Sequence, residues 1–204
     1  MKMFRGLPLV AGHSILDFVN TVEYRGRKDP LDRLTTFSDL TEWCEIVGLL
    51  SHNEKSRVSR PRIVNSQEAT SALRNACLLR EHLRVLLDPL QRETQAFEMS
   101  LAAFQCFAAK LRPRFHYDEG RFYFDVRVDT PKDVVFRLLD RAGHFLVDSA
   151  KLRVRQCDGP NCDWLFIDAT NAGRRRWCQP GTCGNIIRVR RFRERQLKRL
   201  AKQR

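Results

Sequence analysis

Four cysteines crowded into about one-eighth of the chain constrain its fold more than any other feature. Cys157-x4-Cys162-x15-Cys178-x4-Cys183 forms two close pairs, and the segment between them carries the apolar run Trp164-Leu165-Phe166-Ile167. Gly159-Pro160 stands inside the first pair and Pro180-Gly181 inside the second, and these residues favour the tight reversals that bring the thiols of a pair together. Two such knuckles can close a tetrahedron around one Zn2+ at about 2.3 Å per bond, and four protein ligands leave no open position, which makes the site structural rather than catalytic. Spacing alone keeps two alternatives open, buried free thiols and a pair of disulfides, since x4 is longer than the usual x2. The clustering of four of the seven cysteines argues against scattered core thiols, and an odd total suits a reducing compartment better than a disulfide framework. In a segment of about 50 residues with few large apolar side chains, metal binding worth roughly 10–16 kcal/mol would be the main source of folding free energy. Cys44, Cys77 and Cys106 fall among apolar residues at helical positions and are expected in the core.

The charge is as unevenly placed as the cysteines. The whole chain carries +13, but residues 1–150 hold 22 Lys/Arg against 20 Asp/Glu while residues 151–204 hold 15 against 4, a local surplus of +11. A near-neutral body with so positive an end implies a polyanionic partner for that end, nucleic acid first and an anionic membrane surface second. From Gly184 onward the chain has no proline and no further glycine, so a helix is predicted. Projected at 100° per residue, Arg188, Arg191, Arg195, Lys198, Arg199 and Lys202 share one arc, with Ile186, Val189, Leu197 and Leu200 opposite. The apolar side is expected to lie on the zinc knuckles and the cationic side to face a phosphate backbone or a major groove. Arg174, Arg175 and Arg176 would add a second basic patch beside the metal. A solvated face, or contact with an acidic protein, is the alternative.

The remaining 150 residues read as one mainly helical body. With 43% hydrophobic and 30% charged residues the chain can bury a core, and no apolar run is long enough to span a membrane or serve as a signal peptide, so a cytoplasmic location is expected. Apolar positions 15, 18, 19 and 22 predict a helix over 13–22, with a loop over 23–35 and then a helix capped by Ser38 that carries Leu40, Trp43, Val47 and Leu50, Gly48 lying near its end. Two long helices are predicted over 67–87 and 93–111, broken at Asp88-Pro89 and packed as a pair. The alternation Phe115, Tyr117, Phe122, Phe124, Val126, Val128 around Asp118-Glu119-Gly120 predicts a β-hairpin, and Thr130-Pro131 opens a further helix that buries Val134, Val135, Leu138, Leu139 and Leu146. The fold class is mainly α with a small β-hairpin (α+β), a helical domain over 1–150 followed by a four-cysteine zinc finger with a basic C-terminal helix over 151–204.

Asp17, Asn20 and Thr21 gather on one face of the first helix, near His13, Glu23 and Tyr24. They are candidates for a small-molecule site, although such a cluster is more often a capping or interhelical hydrogen-bond network. No nucleophile motif, glycine-rich phosphate loop or His-Glu metal motif accompanies them, so no catalytic residues are assigned and no enzyme is expected.

Arg175-Arg176-Trp177-Cys178 followed by Thr182-Cys183-Gly184-Asn185, with Cys157 and Cys162 upstream and Leu165-Phe166-Ile167-Asp168 between, resembles the CGNR zinc finger. Leu16-Asp17-Phe18-Val19-Asn20-Thr21 and the stretch from Leu40 to Leu49 resemble the ABATE domain that precedes this finger in bacterial stress-induced transcription regulators. The resemblance implies that the four cysteines are the zinc ligands. It also implies a regulator that binds double-stranded DNA, sits on the bacterial nucleoid when bound, and uses its body to sense an effector or to form a homodimer. Structured RNA is the alternative partner, with Trp164, Phe166, Trp177 and Phe192 available to stack on bases, although these residues suit a core as well. One departure stands out: the arginine of the motif's name is Ile186 here, while Arg188 occupies a position where the family usually has lysine.

Overall fold

The computed structural model describes residues 2–118 and 120–202, with side chains described throughout except at 116, 118, 121, 123, 125, 180 and 198–202. The chain opens with a short antiparallel hairpin, β1 (Met3–Phe4) and β2 (Leu7–Pro8), then α1 (Ser14–Val19) and a second small hairpin, β3 (Val22–Glu23) with β4 (Leu31–Asp32). Four helices follow, α2 (Phe37–Ile46), α3 (His52–Val58), α4 (Pro61–Val64) and the long α5 (Gln67–Leu87), and then α6 (Gln95–Ala108). The predicted aromatic hairpin is β5 (Arg114–Asp118) with β6 (Arg121–Asp125), and α7 (Pro131–Ser149) completes the body. Glu119, in its turn, lies outside the described residues. The finger consists of β7 (Val154–Gln156) paired with β8 (Leu165–Ile167), a π-helical turn over Pro180–Gly184, and α8 (Asn185–Lys202).

The two predicted long helices break where Asp88-Pro89 requires, and Thr130 closes a capping box with Asp133 at the start of α7. α2 begins earlier than Ser38 suggests. Thr36 is its cap because Asp39, three residues on, returns its carboxylate to the Thr36 N–H at 2.7 Å, a reciprocal pairing that Ser38 lacks. α1 is shorter than predicted. His13 caps it by accepting from the Ile15 N–H, and after Asn20 the chain turns into β3, so Val22 belongs to a strand. α5 lies against α1, α2, α4, α6 and α7, and Leu79 and Leu83 meet Phe18, Leu138, Leu139 and Trp43 in one core.

All of α1 beyond Ser14 is buried, so its polar face is enclosed along with its apolar one. Asn20 sits 145 positions from Leu165 in sequence, yet its amide donates to the Leu165 carbonyl and accepts from the Leu165 N–H, both at 2.9 Å. Asn20 thereby acts as an extra strand for β8, and the Ala11 carbonyl extends the contact by accepting from the Ile167 N–H at 2.8 Å. Val154, Leu165 and Ile167 of the finger pack into the main core, so finger and body share apolar interior. Thr21 donates to the Phe18 carbonyl and accepts from Arg80, whose buried guanidinium also grips both carboxylate oxygens of Asp32 at 2.8 and 2.6 Å. Asp17 accepts from the Ala11 N–H at 3.0 Å. Burial pushes its carboxyl up to about 6, although the backbone N–H groups of Ala11 and Val10 act in the opposite sense.

Two outcomes follow from this buried face. Asn20→Ala strands both polar groups of Leu165, and at about 1–3 kcal/mol for each buried unsatisfied group the loss should be roughly 2–6 kcal/mol, read as a lower denaturation midpoint at fixed zinc. For Asp17, the native carboxyl holds its proton more tightly than the unfolded one. Its contribution to stability is therefore complete below about pH 4 and is lost as pH rises through about 6, by up to about 3 kcal/mol. Asp17→Asn keeps the acceptor for Ala11 and removes the charge. The stability difference between variant and wild type should grow in the variant's favour between pH 4 and 6 and then level off; a difference constant across that range would contradict the assignment.

Candidate metal centre and its basic helix

β7 and β8 deliver the first knuckle. Their ladder continues past Gln156 into the Cys157 N–H, which donates to the Trp164 carbonyl at 2.9 Å, and the intervening loop turns back through a bond from the Cys162 N–H to the Gly159 carbonyl at 3.1 Å. The second knuckle is Cys178 followed by the π-helical turn that contains Cys183, closed by the Gly184 N–H on the Gln179 carbonyl. The knuckles are tied to each other by the Asp158 N–H on the Arg176 carbonyl at 2.9 Å and by the Arg176–Asp158 ion pair at 2.7 Å.

All four sulfurs lie within 4.8 Å of one another. Cys162 to Cys178 is 3.8 Å and Cys178 to Cys183 is 3.7 Å. A tetrahedron of thiolates about 2.3 Å from a central Zn2+ has edges of about 3.8 Å, so the cluster has the size the ion demands. The Cys178 and Gly159 N–H groups point at the Cys157 sulfur, at 3.3 and 3.4 Å. Hydrogen bonds from the Cys162 and Cys178 thiols, together with those N–H groups, draw the Cys157 thiol down to about 2, whereas donating those bonds to Cys157, and then burial, pushes Cys162 and Cys178 up, and burial followed by the charge of Cys157 pushes Cys183 up. Four sulfurs this close cannot ionise together without a cation among them, and a divalent ion removes the conflict. Cys157 and Cys178 are buried, with Trp164, Phe166 and Leu7 packed on them. Leu7 comes from β2, so the first strands of the chain wall the centre.

Gly159 is squeezed between ligands: a Cβ there would lie 3.0 Å from both Cβ and Sγ of Cys183 and 3.2 Å from Cβ of Cys162. Gly184 is nearly as close to Trp177, with a Cβ meeting the indole at 3.2 Å. Both glycines are needed for close approach.

The three successive arginines do different things. Arg175 is turned inward: its guanidinium donates to the carbonyls of Trp177, Ile167 and Cys178 and lies 4.5 Å from the centre of the Phe166 ring. It braces the loop between the knuckles, and its donors are committed there. Arg176 is half-exposed in its pair with Asp158, and Arg174 is exposed. Asp168, which the sequence marks only as part of a motif, anchors the same loop. Its buried carboxylate accepts from Thr170 and from the Arg175 N–H and pairs with Arg155, and the Thr170 hydroxyl heads the bonds that hold it below the usual carboxylate range.

α8 leaves the metal centre directly from Cys183 and Gly184, and its principal contact is with the π-helical turn. Arg188, Arg191 and Arg195 are exposed, with the Arg188 guanidinium reaching back to the Gly184 carbonyl at 3.3 Å. The side chains of Lys198, Arg199, Leu200 and Lys202 lie outside the described ones. The expectation that the apolar side would rest on the knuckles does not hold: Ile186, Val189 and Leu197 are 53%, 41% and 67% exposed, because the knuckles' own apolar surface is already covered by β2 and Trp164. Phe192 is exposed as well, whereas Trp164 and Phe166 are core. Ile186 also borders a cavity of about 210 Å³ between body and finger, lined by Pro8, Tyr24, Cys162, Trp164 and Cys183 among others. Of the remaining cysteines, Cys44 is buried and Cys77 half-buried, but Cys106 is exposed, on the solvent side of α6. Asp17, Asn20 and Thr21, the candidate small-molecule site, are buried with the structural hydrogen bonds already described.

Residues 12–148 match the ABATE family model, described as "Putative stress-induced transcription regulator", and residues 153–196 match the CGNR zinc finger. No curated protein shows significant similarity to the chain. No helix among the described residues is long and apolar enough to cross a membrane.

The tightness around Gly159 makes it a test of the centre. Gly159→Ala forces a methyl group against Cys183 and Cys162 and should lower zinc affinity at least about tenfold, read by competition with a chromophoric chelator, while the helical signal of the body is retained.

Proposed function

The chain belongs to the ABATE family and carries a CGNR zinc finger at its C-terminal end, and from that premise we propose that it is a zinc-dependent, DNA-binding transcription regulator whose α8 makes the contact. Both matched families are regulatory rather than catalytic. The observation that carries the reading is the exposed cationic helix. α8 holds eight Lys/Arg against the single Glu194, and Arg188, Arg191 and Arg195 lie on one exposed arc. At 18 residues it is about 27 Å long, and a helix of ordinary diameter fits a major groove about 12 Å wide.

Zn2+, held by Cys157, Cys162, Cys178 and Cys183, supplies the closure that fixes the two knuckles against each other. The chain's own residues do the rest: Arg175 and Asp168 brace the loop, and the turn at Cys183 and Gly184 aims α8. Arg174 and Arg176 supply charge beside the centre, and Lys198, Arg199 and Lys202 continue the cationic arc in sequence. Residues 1–150 form the body and 151–204 the binding module in this reading.

Structured RNA is the second reading, and Phe192 favours it. An exposed ring between Arg191 and Arg193 can stack on an unpaired base, which a duplex does not offer.

Salt titration separates the possibilities. Several phosphate contacts require log K to fall steeply with log salt, and a slope near zero would sink the proposal. Arg191→Ala and Arg195→Ala should each reduce the magnitude of the slope by about 0.9 and weaken binding alike on all duplex sequences. Cys178→Ser should lose stoichiometric zinc and nucleic-acid binding while the body stays folded; tight binding without zinc would remove the scaffold role. Stronger affinity for structured RNA than for any duplex would decide for the second reading.

A further inference from the structure

The β5–β6 hairpin carries a contiguous aromatic surface that the nucleic-acid reading does not use. Phe115 stands opposite Phe124 and Tyr117 opposite Phe122, so the four rings share one face, with ring centres 4.8 and 5.1 Å apart within the pairs. Phe115, Phe124, Tyr117 and Phe122 are 79%, 62%, 64% and 80% exposed respectively. The hairpin is nevertheless firmly rooted: Val126 and Val128, which follow it, are buried, and Arg137 of α7 donates to the Val126 carbonyl at 2.7 Å. A two-stranded hairpin is at best marginally stable by itself, and a patch of four exposed rings marks an interaction site.

Charge and area indicate what covers it. By sequence, residues 114–125 hold Arg114 and Arg121 against Asp118, Glu119 and Asp125, a net of −1 in a chain of +13. A nucleic acid or an anionic membrane would find no attraction on this segment, in contrast to α8. A second copy of the hairpin meets no large repulsion, and one face of four rings is self-complementary across a two-fold axis. Aromatic side chains of about 200 Å² each, exposed to this degree, can remove at most about 1,100 Å² from water over both copies, which reaches the roughly 1,000 Å² of a small specific interface only when the four-ring faces are fully covered. We propose that the chain forms a homodimer by stacking the Phe115, Tyr117, Phe122 and Phe124 faces of two β5–β6 hairpins. The two basic helices of the dimer would then belong to one particle, but the pairing itself does not depend on nucleic acid.

The test is sedimentation equilibrium of the zinc-loaded full chain without nucleic acid, from about 1 to about 100 µM protomer. The expected mass is twice 23.9 kDa. Phe115→Ser with Phe124→Ser, and separately Tyr117→Ser with Phe122→Ser, remove rings that already face solvent. Each pair should weaken self-association at least about 30-fold, with zinc stoichiometry and helical content unchanged. A wild-type monomer over the whole range, or a dimer indifferent to both double variants, would overturn the proposal. So would a monomer that uses these rings to bind neutral phosphatidylcholine vesicles or a single-stranded oligonucleotide, which would assign the patch to lipid or to bases instead.

Discussion

Four cysteine sulfurs within 4.8 Å of one another are electrostatically untenable as thiolates unless a cation sits among them, and much of the C-terminal structure depends on that condition. The apolar residues buried around the centre are few, essentially Leu7, Trp164 and Phe166 with parts of Leu9, Val10 and Trp177. So small a cluster cannot by itself offset the entropy of ordering two irregular knuckles. Because Cys183 belongs both to the four-sulfur cluster and to the turn from which α8 springs, the geometry of the cluster and the direction in which the basic helix leaves it are set together.

The finger is also not a bead on a string. β8 is sandwiched between its hairpin partner β7 and the side chain of Asn20, and Ile167 takes the Ala11 carbonyl. Leu7 from the first hairpin packs in one apolar cluster with Cys157 and Cys178. α1 and the segment before it are thus tied to the backbone of β8, and β2 to the cysteine cluster, so body and finger are held together by direct contacts.

The long elements were legible because their signals are redundant. α5 and α7 combine 3.6-residue periodicity with proline punctuation at Asp88-Pro89 and Thr130-Pro131, and the clustering of the four cysteines is signalled by their spacing and by the glycine and proline between them. α3 and α4 were not, since His52–Val58 buries only Glu54 and Val58 and Pro61–Val64 is a single turn, too little for a period to emerge. The polar face of α1 looked available because periodicity divides a helix into two faces without saying what covers each; the group that covers Asn20 lies 145 residues away. The same limit governs α8, whose apolar side was visible in the sequence while its exposure was not. Arg175 reads as one of three equal charges, and only the fold turns it towards the carbonyls of Ile167, Trp177 and Cys178.

Asn20 imitates a peptide unit, offering a donor and an acceptor at strand spacing from a helix end, and this has a bearing on grafting. A finger transplanted onto another scaffold would carry its metal and its charges with it, yet β8 would arrive with one raw edge where Leu165 had been matched. A compatible recipient needs an amide at the end of a buried helix, positioned to meet the Leu165 N–H and carbonyl, as well as a linker of suitable length.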